Sequence, residues 1–96
     1  MKLLLVIYSG SQSELVPDLF DKHHAGGYTQ LGPGHGAGVT GKRAGSRAWP
    51  GDASVFFSIV PSERVNGLMN ALRLRTTELA PGERLHAAVL PTETFF

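Results

Sequence analysis

The chain has 96 residues, 42% of them hydrophobic and 18% charged, the proportions of one ordinary globular domain with a single core. It contains no cysteine, which excludes a disulfide framework, a thiolate nucleophile and cysteine-ligated zinc and is compatible with a reducing cytoplasm, the expected location. The formal net charge is +1, too little for the broad basic face that nucleic-acid binding requires.

Residues 3–8 form an aliphatic and aromatic run of strand length ended by Ser9-Gly10, and no prompt cleavage site makes it a secretory leader. No apolar run reaches the roughly 18 residues of a membrane span, so no direct membrane insertion is expected. Ser11-Gln12-Ser13-Glu14 reads as a capping box, followed at helical spacing by Leu15, Val16, Leu19, Phe20 and His23. Pro17 conflicts with an early start, predicting a kink or a late one, and Gly26-Gly27 ends the helix. Residues 28–31 make a short second strand, and residues 53–60, Ala-Ser-Val-Phe-Phe-Ser-Ile-Val, make a third. Pro61-Ser62-Glu63 opens a second helix with Val65, Leu68, Met69 and Leu72 as its buried stripe. Ala80-Pro81-Gly82 stops that region, and residues 85–90 form the last strand before Pro91.

The order β-α-β-β-α-β over residues 1–96 predicts a single α+β domain of ferredoxin-like type, a four-stranded antiparallel sheet with two helices on one face. Strand one, however, places Leu3, Leu5 and Ile7 on one side and Leu4, Val6 and Tyr8 on the other. The third strand likewise sets Val55, Phe57 and Ile59 opposite Phe56, Ser58 and Val60. Two helices cover one face only, so the second apolar face predicts a homo-oligomer, with copies packing sheet against sheet.

Between strands two and three lies a glycine-rich basic loop, residues 32–52. Its first sixteen residues hold six of the twelve glycines and Lys42, Arg43 and Arg47, with no acid. Of nine bases these three leave six against eight acids, so residues 32–47 carry +3 and the rest of the chain balances to −2. Glycines bring backbone N–H groups close to a ligand while the cations supply charge, so a small anionic ligand or an acidic partner is expected here, against the plainer reading of a solvated turn. Gly36, Gly38 and Gly41 match G-x-G-x-x-G, and the same segment misses the P-loop pattern only where Arg43 replaces a hydroxyl. Both patterns need a helix directly after the glycines, which residues 44–51 do not begin.

Three segments carry a family resemblance: Gly27-Tyr28-Thr29 leading into the glycine and basic segment, Pro81-Gly82-Glu83-Arg84 before the last strand, and Val89-Leu90-Pro91-Thr92-Glu93 after it. From strand one to Pro91 the chain resembles the PII signalling-protein superfamily. In that resemblance Gly27-Tyr28-Thr29 is similar to the Gly-x-Thr of strand two, the basic loop takes the T-loop position, residues 81–84 look like a shortened B-loop with Arg84 near its phosphate-binding lysine, and residues 89–93 resemble the start of the C-loop. The resemblance implies a homotrimer that is regulatory rather than enzymatic. It also implies an adenine nucleotide between subunits and a T-loop that docks on a partner such as a membrane transporter or a metabolic enzyme. The implied ligand set is Thr29, Gly36, Gly38, Gly41, Lys42, Arg43, Arg47 and Arg84. The T-loop counterpart is short, the tyrosine modified in some members has no equivalent, the B-loop lacks its glycine run, and the sequence stops at Phe96 before the basic C-loop residues.

Competing readings are weaker. His23 and His24 are helix neighbours that point ~100° apart and cannot share one ion, no HxH or HxxxH pair exists, and a metal-linked adaptor would need ligands from several copies. No G-x-S-x-G elbow or motif-placed carboxylate pair suggests catalysis. An ACT-type amino-acid-binding domain shares the element order but not the basic loop. An RNA-recognition motif would need a basic-Gly-aromatic third strand, and Phe56 and Phe57 instead alternate faces.

Overall fold

A computed structural model describes residues 1–34, 37–38, 41–42 and 53–96. Along the chain the elements are β1 (Lys2–Ser9), α1 (Leu15–Lys22), β2 (Thr29–Gly34), β3 (Ala37–Gly38), β4 (Gly41–Lys42), β5 (Ala53–Val60), α2 (Ser62–Thr76) and β6 (Arg84–Pro91). β2, β5, β1 and β6 form one antiparallel sheet in that order, and β3 pairs with β4 as a separate short ladder. The α+β arrangement expected from the sequence is present, with β2 running on to Gly34 and so into the stretch read as loop.

β1 is central, with Leu5 facing Phe57 of β5 on one side and Ala88 of β6 on the other. Side-chain alternation sends Leu4, Val6 and Tyr8 to the helix-covered face, where they are buried with Phe56, Val60 and Leu85. α1 contributes Leu15, Val16, Leu19 and Phe20 to this core, and α2 contributes Leu68 and Leu72. Each such side chain removed from water adds about 1.5–3 kcal/mol before the entropy of ordering is counted. Phe20, Tyr28 and Phe56 meet as an aromatic trio with ring centroids 5.4 to 6.2 Å apart, which anchors α1 over β5. On the opposite face Leu3, Leu5, Val55, Phe57 and Ile59 are only half-buried, and Ile7 and Leu90 are exposed.

The capping box is not formed. α1 begins at Leu15 with Glu14 as N-cap and no side-chain cap bond, because Ser11 spends both its N–H and its hydroxyl on Glu83. That late start puts Pro17 in the first turn, where its missing N–H costs nothing. The helix also ends earlier than Gly26-Gly27, at Lys22, with His24 in the left-handed region at φ +52° and Gly26 following at φ +88°.

Candidate functional site

Two local structures lie where ligand chemistry was expected, at opposite edges of the sheet. The first is an open cleft of about 490 Å³ on the uncovered face beside β2 and β5, within the size range of small-molecule sites. Leu3, Phe57 and Ile59 form its apolar floor, Thr29 and the backbone of residues 27–28 its rim, and Phe95 closes it from the C-terminal side. The rim is pinned because the Ser58 hydroxyl donates to the Gly27 carbonyl at 2.7 Å, tying the α1–β2 connection to β5.

The second is the turn before β6. Glu83 is 4% exposed. Its carboxylate accepts from the Ser11 N–H at 3.0 Å, the Ser11 hydroxyl at 3.2 Å and the Ala80 N–H at 3.0 Å. The Ser11 N–H above all, with the Ala80 N–H and Ser11 hydroxyl, holds its carboxyl below the usual carboxylate value against the opposing effect of burial. Beside it the Tyr8 hydroxyl oxygen accepts from the Gln12 N–H at 2.9 Å. Burial pushes the Tyr8 phenol up, the Gln12 bond offsets part of this, and the Glu83 charge adds to it. Gly82 adopts φ +89° to make the turn, and the Arg84 guanidinium donates to the Glu83 carbonyl at 3.1 Å.

Thr29 therefore lines the cleft, and Arg84 opens β6 on the far edge of the same sheet. With β2, β5, β1 and β6 in that order, three inter-strand spacings of about 4.8 Å separate their strands, and the two residues do not converge within one chain. Gly38 and Gly41 face one another in the β3–β4 ladder, and Lys42 pairs with Ala37. Gly36, Arg43 and Arg47, with His35 and Trp49, lie outside the described residues. Among the described residues no group of three or more metal-ligating side chains occurs, and no helix is long and apolar enough to cross a membrane. Sequence reasoning missed Phe95, Gly10 and the carboxylate of Glu83. Gly82-Glu83 next to a strand start was the one usable signal for the last.

No family sequence profile matches the chain, and no curated protein gives a significant sequence match. Solved structures do. CPII, a nitrogen regulatory PII-like protein from Thiomonas intermedia K12, bound to ADP, AMP and bicarbonate, is similar with a TM-score of 0.67 at 22% identity, over 97% of this chain and 94% of that one. CPII bound to ADP and bicarbonate is similar with a TM-score of 0.65 at 26% identity, over 93% and 86%. A proposed PII-like signalling protein from Thermus thermophilus is similar with a TM-score of 0.65 at 20% identity, over 92% and 81%. The connectivity and strand order define a ferredoxin-like domain of PII type. In fold, the chain is similar to these PII-like proteins.

Proposed function

We propose that this protein is a non-enzymatic PII-like regulator that assembles as a homotrimer and binds a small anionic ligand, of nucleotide or bicarbonate class, in the clefts between its copies. The observation that carries this reading is the separation of Thr29 and Arg84 on opposite edges of one sheet: a ligand can meet both only where the β2 edge of one copy approaches the β6 edge of another. The uncovered apolar face supplies the reason for copies to associate. Lys42, Arg43 and Arg47 would add charge, and the glycines at 36, 38 and 41 backbone N–H groups, from the segment between β2 and β5. ADP, AMP and bicarbonate, which the similar CPII binds, are the first ligands to try. The segment 32–52 would carry the contact with a protein partner.

Thermal shift against ADP, AMP, ATP, bicarbonate, oxo-acids and divalent metals, followed by calorimetry, tests the reading, since a ligand at a hundredfold its Kd stabilises the native state by about 2.7 kcal/mol. The best ligand should bind Arg43→Ala, Arg47→Ala and Arg84→Ala about ten- to a hundredfold more weakly, with assembly intact. Unchanged binding by all three variants would refute the anion site and favour docking through the loop alone.

A further inference from the structure

We propose that Glu83 is a positioning residue: its buried carboxylate latches the β1–α1 loop to the turn that presents Arg84, and so holds the guanidinium ready for an anion. The proposal rests on the anion-binding reading of Arg84 given above. A glutamate that served solubility alone would stand in water. This one is withdrawn from it, and each of its polar groups has a partner. Oε1 accepts from the Ala80 N–H, and the Glu83 N–H returns a bond to the Ala80 carbonyl at 3.0 Å, closing the turn twice. Oε2 accepts twice from Ser11, 72 positions away in the chain, so the turn is fastened to the end of β1. The remaining group, the carbonyl, receives the Arg84 guanidinium.

Gly10 makes room for the carboxylate, since a Cβ there would fall 2.8 Å from Oε2. The negative charge is needed as well as the shape. Replacing one oxygen by an amide NH2 would set a donor against either the Ser11 or the Ala80 N–H, opening one side of the latch while leaving the side chain's volume unchanged. Released from that side, the turn would carry the Arg84 backbone through a range of positions, and an anion would have to freeze it on binding.

The test uses the full chain with ADP and sodium bicarbonate as probes. Calorimetry is run on the parent, Glu83→Gln, Arg84→Ala and the double variant, and amide exchange with Arg84 side-chain resonances is followed by NMR. Glu83→Gln should retain its circular dichroism spectrum and bind the better probe about tenfold more weakly, and the double variant should bind no more weakly than Arg84→Ala alone. Equal affinity of Glu83→Gln and parent, or losses that simply add, would overturn the proposal and leave Glu83 a stabilising residue. Ser11→Ala is the milder variant should Glu83→Gln fail to fold; it removes the 3.2 Å hydroxyl bond alone and should give a smaller loss in the same direction, and none would count against the latch. A parent that binds neither probe would refute the anion reading. The latch is then judged on the NMR signals: protected Ser11 and Ala80 amides with dispersed Arg84 resonances that collapse in Glu83→Gln support it, and exposed amides in the parent overturn it.

Discussion

Replacing Gly10 by alanine tests the tightness of the β1–α1 corner. The new Cβ would come nearest the Tyr8 hydroxyl oxygen and would lie 2.6 Å from Tyr8 Cζ and 2.8 Å from Glu83 Oε2, where ordinary contact begins near 3.4 Å, so the ring must retreat by more than roughly 0.8 Å and the carboxylate by roughly 0.6 Å. Neither moves cheaply, because Tyr8 is 5% exposed within the core and Glu83 holds three donors. Overpacking of this kind costs about 1–3 kcal/mol, and a weakened Ser11 bond adds about 1 kcal/mol. The stiffer unfolded chain returns about 0.4–1 kcal/mol. The net loss is about 2 kcal/mol, which for a domain of this length lowers Tm by roughly 8–16 °C. Circular dichroism melting at fixed concentration reads it. Gly67→Ala is the internal control: within α2 its Cβ would meet nothing nearer than His23 Nδ1 at 3.8 Å, so alanine should stabilise by up to about 1 kcal/mol. A Gly10→Ala variant that melts at or above the parent would refute the packing described for this corner.

Acid stability should report Glu83. Its folded-state value lies below the ordinary 4.5, so the unfolded chain binds the proton more tightly; the stabilisation is complete above that ordinary value and is lost as pH falls through the folded one. Urea midpoints measured from neutral pH down to about pH 3 should therefore fall less steeply in Glu83→Gln than in the parent, and parallel curves would remove the carboxylate from the account. Phe57→Glu, placed at the middle of the uncovered face opposite Leu5 and Thr29, should leave the fold intact and give a monomer by light scattering, because an interface does not accommodate an unpaired charge; a parent already monomeric at micromolar concentration would refute assembly through that face. Gly32→Ala should destabilise by about 1–3 kcal/mol in chemical unfolding, since Gly32 sits at φ +139° with the Ala53 carbonyl 2.9 Å from any added Cβ.

The strands were legible because their signal is local. Leu4, Val6 and Tyr8 alternate with Leu3, Leu5 and Ile7 at a period of two, and that pattern needs no knowledge of what the strand packs against. The same holds for Leu68 and Leu72 on α2. The N-terminus of α1 was misread for the opposite reason. Ser11 and Glu14 have the spacing of a capping box, but a buried carboxylate 72 positions away competes for Ser11, and no local rule anticipates that. Thr29 stands out in the sequence through a motif, whereas Phe95 reaches the cleft from beyond the last strand with no periodic pattern to mark it.

On the proposed reading, assembly and ligand binding would come from one feature of this sheet. Antiparallel register puts Thr29, Phe57, Leu5 and Ala88 in one row across the uncovered face, and the alternation that points Leu85 into the core turns Arg84 toward that same face. The apolar middle of the face would give copies a reason to associate, while Thr29 and Arg84, the residues proposed for the ligand, stand at its two edges, where one copy alone cannot bring them together. On the anion-binding reading, a ligand in the gap between edges would be held by two chains at once, and its binding would be linked to assembly: it should tighten the oligomer by the same free energy by which the oligomer tightens it. Dilution that separates the copies should then abolish binding even in variants that keep every ligand-contacting residue. Ile7→Glu, on the same face but outside the lining of the cleft, should behave in this way, since Thr29, Phe57 and Arg84 all remain. If calorimetry finds its monomer binding ADP or bicarbonate as tightly as the parent, the site is contained within a single chain and the two-edge argument fails.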